Sequence, residues 1–262
     1  MSKSKDNLYI HLENTLRSAP HSLRFDELAV VLPAHIQPAS LRQLAQQLQN
    51  ELIGNIDDVS IKSDTAQNHD IQTASRILSA LKNTPIADAS VLVAITHESK
   101  PKLLLTRRAG HLKSHAGQVS FAGGKYEPSD GNNIVTALRE ACEETALPPS
   151  QVQIVGQLPI QTSKAGLSVR PIVALVSPNV TYVPELGEIE RIFWADFETL
   201  MTQPTVDYVF TYKQNEQSSM VATPSWIIDN ETVWGLTGKI IASLLKIGFD
   251  RQVEWYYRMA DE

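Results

Sequence analysis

The segment Ser90-Val-Leu-Val-Ala-Ile-Thr96 is an almost unbroken apolar run, the pattern of a strand buried within a sheet. His97 to Pro101 reads as a turn, and Lys102 to Thr106 returns as a second strand. Val152 to Leu158, Val169 to Val176 and Ile189 to Trp194 are further strand candidates. Two helical patterns stand among them, Ile134 to Thr145 and Leu236 to Ile247. Strands surrounding a few helices without regular alternation predict an α+β or α/β sandwich.

The N-terminal third reads differently. Leu41, Leu44, Leu48 and Leu52 mark an amphipathic helix over Ser40 to Ile53, and Ile71, Ala74, Ile77, Leu78 and Leu81 mark a second over Ile71 to Leu81. The polar stretch Asp57 to Asp70 reads as a loop or linker. Leu23 to Leu32 is ambiguous. Pro85 ends the second helix, because a proline disfavours helical geometry in the residue before it. The expected division is a mostly helical extension over 1–87, a main domain over 88–250 and a tail over 251–262. The extension either packs on the main domain or pairs two subunits, which leaves a homodimer open.

Charge and cysteine content exclude several classes. With 23 Lys plus Arg against 29 Asp plus Glu, the net charge is −6, which argues against a general nucleic-acid binder. Cys142 is the single cysteine, so no intrachain disulfide framework exists. No apolar run approaches the roughly 20 residues that span a bilayer, and the polar start lacks the core of a signal peptide. These features predict a soluble cytoplasmic protein with neither nucleic acid nor membrane as partner.

The chemistry concentrates in Gly123 to Leu147. Glu140, Glu143 and Glu144 sit at i, i+3 and i+4, so their side chains share one helix face. Ile134, Ala137, Leu138, Ala141 and Thr145 form the opposite, core-facing stripe. Three like charges on one face repel, and a hard divalent cation would relieve that cost while gaining oxygen ligands. On its own an acidic face is more often a solvated surface. Here a glycine pair precedes it, and glycine lets backbone N–H groups approach an anion closely. Arg139 flanks the carboxylates, placed to pair bidentately with a loop acid such as Asp130.

This arrangement resembles the Nudix box. Gly124 is followed after five residues by Asp130, then after eight by Arg139-Glu140, Ala141-Cys142, Glu143-Glu144, Thr145, Ala146 and Leu147. Six such fixed positions match by chance about once in 10⁵ chains of this length. Asp130 stands where the family has Glu, with one more residue before the arginine, a variation shared by the coenzyme A branch. Ala146 replaces a glycine; if that position is left-handed, alanine costs roughly 1 kcal/mol there.

Leu104 to Gly124 resembles the motif that precedes the box in coenzyme A diphosphatases. Leu104, Leu105, Thr106, Arg108, Gly117, Phe121, Gly123 and Gly124 match it, whereas Lys113 replaces an arginine and Ala122 a proline. Lys100 to His115 carries Lys100, Lys102, Arg107, Arg108 and Lys113 with no acid, a candidate landing place for phosphates. His111 and His115 read as structural or phosphate-contacting rather than as metal ligands. Glu188, in Gly187 to Trp194, matches the strand where family members supply another acid near the metal. Glu231 to Gly238, opening the last helix, also resembles the coenzyme A branch.

The resemblance implies a Nudix-type α/β/α sandwich with a mixed sheet. It also implies metal-dependent hydrolysis of a diphosphate bond in coenzyme A or an acyl derivative, giving 3′,5′-ADP and 4′-phosphopantetheine. Glu140, Glu143 and Glu144 would hold Mg²⁺ or Mn²⁺, and Glu143, Glu144 or Glu188 would take a proton from water. Arg108 and Lys113 would contact substrate phosphate, Gly123 and Gly124 would shape the turn, and Arg139 with Asp130 would be structural. Two alternatives stand beside this: another nucleoside diphosphate derivative as substrate, or a non-catalytic domain that binds a nucleotide and regulates.

Overall fold

A computed structural model describes residues 28–54, 66–214 and 217–260. The first strand, β1 (Ala29–Val30), is followed by helices α1 (Ala39–Ile53) and α2 (Ala66–Lys82). Next come β2 (Ala89–Thr96), β3 (Lys102–Arg108), β4 (Val119–Ser120), β5 (Gly123–Lys125) and helix α3 (Asn133–Thr145). Strands β6 (Val152–Gln157), β7 (Gln161–Thr162), β8 (Ser168–Val176) and β9 (Ile189–Asp196) lead to the short helix α4 (Phe197–Thr202). A long hairpin of β10 (Val206–Gln214) and β11 (Gln217–Ile228) precedes β12 (Glu231–Val233), helix α5 (Gly235–Phe249) and β13 (Arg258–Met259).

The main sheet is mixed, as expected. Its spine runs β1-β6-β8-β2-β3-β4, with β5 on β2, β7 on β8 and β9 on β3. The β2–β8 and β1–β6 pairs are parallel and the others antiparallel. Alternation along the central strands feeds two cores. Val93, Ile95, Leu103 and Leu105 face a layer built by α1 and α5, through Leu41, Leu44, Leu48, Ile240, Ile241 and Leu244. Leu92, Ala94 and Leu104 face the other layer, built by α2 and α3 through Ile77, Leu81, Ile134, Ala137 and Leu138. The result is the α/β/α sandwich that the sequence implied.

Residues 28–54 and 66–82 contribute to both layers. In α1, fully buried Gln49 donates its amide to the Val31 carbonyl (2.8 Å) and the Val155 carbonyl (3.0 Å). These bonds tie the helix to the sheet beside the bulge at Ile154 to Gly156. At Gly248 of α5, an added Cβ would come within 2.5 Å of Leu44 Cδ1, so the glycine permits the close α1–α5 contact.

Several sequence expectations change. Part of the ambiguous Leu23 to Leu32 segment forms β1, while 23–27 lie outside the described residues. The stretch expected as loop from Asp57 to Asp70 is helical from Ala66, with 57–65 outside the described residues. Ile71 is 62% exposed, because the buried stripe of α2 runs through Thr73, Ile77 and Leu81 at four-residue steps. The β10–β11 hairpin was not expected, although Val206, Tyr208, Phe210 and Tyr212 do alternate with polar and smaller residues over its first strand. Beyond α5, Trp255 stacks on buried Trp226 at 5.7 Å and β13 pairs with β11, so residues within 251–260 also pack on the fold.

Candidate active site

The acidic helix is fixed at both ends. Asn132 caps α3, its Oδ1 accepting the N–H groups of Ile134 (2.9 Å) and Val135 (3.1 Å). At the other end Ala146 is left-handed, with φ 57° and ψ 22°. That is the conformation for which the resemblance prefers glycine, and it costs an alanine roughly 1–2 kcal/mol. Fully buried Cys142 lies inside the helix as a packing residue.

A loop clamps the helix from the side. Arg139 sends Nε to Asp130 Oδ1 at 2.8 Å and Nη2 to Oδ2 at 3.1 Å, the bidentate pair that the spacing allowed. Its remaining donors reach the Lys125 carbonyl (3.1 Å), Glu140 Oε1 (3.0 Å) and Glu143 Oε2 (3.1 Å), so all five N–H groups are used. Asp130 also accepts the Thr136 hydroxyl (2.8 Å) and the Glu127 amide (3.0 Å). Burial alone would raise the pKa of Asp130; the bonds from Arg139, Glu127 and Thr136 outweigh it and hold the carboxyl below its ordinary range. The signal for Asn132 was readable as a helix cap in the sequence, whereas nothing there marked Thr136 or Glu127.

Glu144 turns the other way, into the sheet. Its Oε2 accepts the Gly123 amide at 3.1 Å and its Oε1 lies 3.8 Å from Arg108 Nη1. The glycine amide expected to meet an external anion therefore meets a carboxylate of the chain itself. Burial pushes the Glu144 pKa up to about 8, opposed by the Gly123 bond and Arg108 and reinforced by the charges of Glu140 and Glu188. Glu140 is also raised, by burial first and by Glu143 and Glu188, against the pull of Arg139. Gly123 is sterically required by the backbone of β2, whereas a side chain at Gly124 would displace only the Glu140 carboxylate. A Cβ on Gly123 would lie 2.4 Å from the Ser90 carbonyl oxygen, and one on Gly124 would lie 2.4 Å from Glu140 Oε1.

The donor set is all oxygen and includes a buried carboxylate with one backbone bond, which suits a hard divalent cation. Among the described residues, no three His, Cys, Asp or Glu side chains already converge on one point. Arg139 Nη1 stands between Glu140 and Glu143, leaving the second oxygen of each outside its bonds. Glu188 precedes β9, exposed, with its carbonyl accepting the Ala109 amide at 2.8 Å.

The basic stretch does not gather as one patch. Arg107 pairs with Glu190 (3.4 Å) and Glu231 (3.5 Å) on the α5 side of the sheet. Lys102 begins β3 opposite Asp196, roughly 20 Å along the strand from Arg108. Lys113 is exposed in the loop joining β3 to β4 and makes no ion pair among the described residues. In the same loop His115 Nδ1 is 2.9 Å from Gln118 Oε1, a structural contact.

Comparison with known proteins assigns the class. Residues 87–214 match the NUDIX domain. A Nudix hydrolase of Yersinia enterocolitica, NudL, itself uncharacterized, is 39% identical over 156 residues, covering 60% of this chain and 78% of its own. The NudL of Yersinia pestis is equally similar, with 77% of its length covered. A MutT/nudix family protein of Enterococcus faecalis has a similar structure, with 14% identity, a TM-score of 0.41 and 64% of each chain covered. The chain belongs to the Nudix family. It is a Nudix hydrolase, an enzyme for small-molecule diphosphate substrates, from a family that generally uses divalent metal ions. Among the described residues no helix is long and apolar enough to cross a membrane.

Proposed function

We propose that this hydrolase cleaves the diphosphate bond of coenzyme A or an acyl-coenzyme A, giving 3′,5′-ADP and 4′-phosphopantetheine. The observation that carries the reading is the path of residues 104–124. Leu104, Leu105, Thr106 and Arg108 lie on β3, and Phe121, Gly123 and Gly124 lead onto and into β5. This single stretch brings both Arg108 and the Gly123 amide to Glu144. The part of the chain that resembles coenzyme A diphosphatases is the part that touches the acidic helix.

In this reading Glu140, Glu143 and Glu144 would hold Mg²⁺ or Mn²⁺, whose charge would offset that of the diphosphate and favour deprotonation of a water. Arg108 and Lys113 bind the phosphates, Arg108 from a half-buried position beside Glu144. Glu143, Glu144 or Glu188 takes the proton from the water that attacks phosphorus in line. Gly123 and Gly124 keep the turn close enough to fix Glu144 and admit Glu140. Asp130 and Arg139 hold loop and helix together. Residues 88–250 supply the chemistry, with 1–87 and 251–262 as flanking support.

Product analysis after incubation with coenzyme A and Mg²⁺ or Mn²⁺ tests this. Metal-dependent release of 3′,5′-ADP is expected, absent with EDTA and in Glu144→Gln. Turnover of nucleotide sugars with none of coenzyme A, in either metal, would overturn the substrate.

A further inference from the structure

A second cluster lies outside the acidic helix, on the hairpin sheet. Tyr208 and Phe210, two apart on β10, share a face, with rings 6.1 Å apart and 16° from parallel. Trp234, just before α5, packs 4.7 Å from Tyr208 and 4.8 Å from Phe210 at tilts of 38° and 40°. Lys164, exposed in the turn between β7 and β8, places its ammonium 3.8 Å from the centre of the Tyr212 ring and 5.1 Å from that of Phe210. Directly opposite Tyr208 stands Thr223, which is 0% exposed and whose hydroxyl has no hydrogen-bond partner among the described residues. Paired residues share a face about 5 Å apart, so this hydroxyl lies beside the rings.

From both sides of Trp234 the cluster is tied to β3 and β4, the strands that flank the turn carrying Gly123. Three residues later, the Thr237 hydroxyl donates to the Val119 carbonyl at 2.9 Å. Val119 is four residues before Gly123, at most roughly 14 Å of extended chain. Three residues earlier, Glu231 pairs with Arg107 on the α5 side of β3, the layer opposite the one that Arg108 enters to reach Glu144. A plain packing core would enclose its rings. Here the four rings are half-buried and an exposed cation rests over two of them.

We propose that Tyr208, Phe210 and Trp234 form a stacking surface for the nucleobase of the substrate, with Lys164 meeting a phosphate on the same nucleoside. The inference rests on the coenzyme A reading above, since that molecule carries a purine and a 3′-phosphate on one side of its diphosphate. Every base presents a π face, so stacking needs only rings and space. Aromatic side chains offer that area with few rotors to freeze. The ammonium supplies the selectivity: it gains by leaving the rings only when a phosphate is within reach.

The test uses the full-length protein, with tryptophan fluorescence and calorimetric titration of 3′,5′-ADP, 5′-AMP and 4′-phosphopantetheine. Both adenine nucleotides are expected to quench fluorescence, and the quench to vanish in Trp234→Phe while binding persists. Phe210→Leu should weaken 3′,5′-ADP by about 5- to 150-fold, the usual range for one stacked base. Lys164→Gln should weaken 3′,5′-ADP and leave 5′-AMP unchanged; being on an exposed turn, it decides the matter even if Phe210→Leu does not fold. Absence of quenching by either nucleotide, or equal loss of both in Lys164→Gln, overturns the proposal. If coenzyme A is not cleaved yet 5′-AMP still quenches through Trp234, the substrate reading fails and the stacking surface stands. If coenzyme A is cleaved with the same KM in folded Phe210→Leu, the surface fails and the substrate reading stands.

Discussion

The Gly123 amide donates to the Glu144 carboxylate across 3.1 Å, joining the turn to the acidic helix through one bond. The two neighbouring glycines therefore differ in what a methyl group would do. On Gly123 it would strike the backbone of β2, 2.4 Å from the Ser90 oxygen and 2.6 Å from Val91 Cα. On Gly124 it would strike only the mobile end of Glu140. Gly123→Ala is expected to lower the thermal midpoint by many degrees, whereas Gly124→Ala should keep its midpoint and lose metal affinity as Glu140 is displaced. Calorimetric unfolding and Mn²⁺ titration of both variants measure the contrast; equal midpoints would refute it.

Proton and metal compete for Glu144. Its folded pKa is raised from 4.5 to about 8, so metal binding below that pH must expel a proton. Apparent Mg²⁺ affinity should rise up to tenfold per pH unit and level off near pH 8. Stability of the metal-free protein runs the other way. Its contribution from Glu144 is fully present below pH 4.5 and is lost as pH climbs towards 8, because the folded state retains the proton that the unfolded chain releases. Glu144→Gln should flatten this slope in urea titrations between pH 5 and 8, and an unchanged slope would show that another group is responsible.

The acidic helix and its arginine were legible because their spacing is a chemical statement on a helix: i, i+3 and i+4 carboxylates must share a face. The central strands were legible because burial on both faces writes a continuous apolar run. The hairpin left a weaker trace. Its alternation is real, but Tyr208, Phe210 and Tyr212 are half-buried and its polar positions include Thr223 and Ser225, which are buried. Lys100 to His115 misled for a related reason. Charge counted along the chain ignores that a strand separates Lys102 from Arg108 and directs Arg107 and Arg108 to opposite layers. Ala146 shows the reverse case, a position whose left-handed backbone follows from where it lies in the motif despite its side chain.

Arg139 and Asp130 are 7% exposed each, and their pair is bidentate. Asp130→Asn leaves the guanidinium short of its main counter-charge, a class of change that costs about 3–5 kcal/mol. Because the folded pKa of Asp130 is depressed, the wild-type pair stabilises the fold above the ordinary carboxylate range and loses that contribution as pH falls through the folded value. Urea unfolding of wild type and Asp130→Asn should therefore converge in strong acid. A gap that persists there would assign the loss to packing.

A chain beginning at Asp88 would lack β1, α1 and α2. Leu41, Leu44 and Leu48 are at most 1% exposed, and burying each contributes about 1.5–3 kcal/mol. Their removal uncovers Ile240, Ile241 and Leu244 on one face of the sandwich, while loss of α2 uncovers the α3 side through Ile77 and Leu81. Summed over three leucines, the lost burial is comparable to the entire stability of a typical domain, about 5–15 kcal/mol. The truncated chain is expected to be unfolded or aggregated rather than folded and inactive. Near-ultraviolet circular dichroism separates these outcomes: a native-like aromatic spectrum from residues 88–262 would mean that the first 87 residues serve activity or assembly and not the fold.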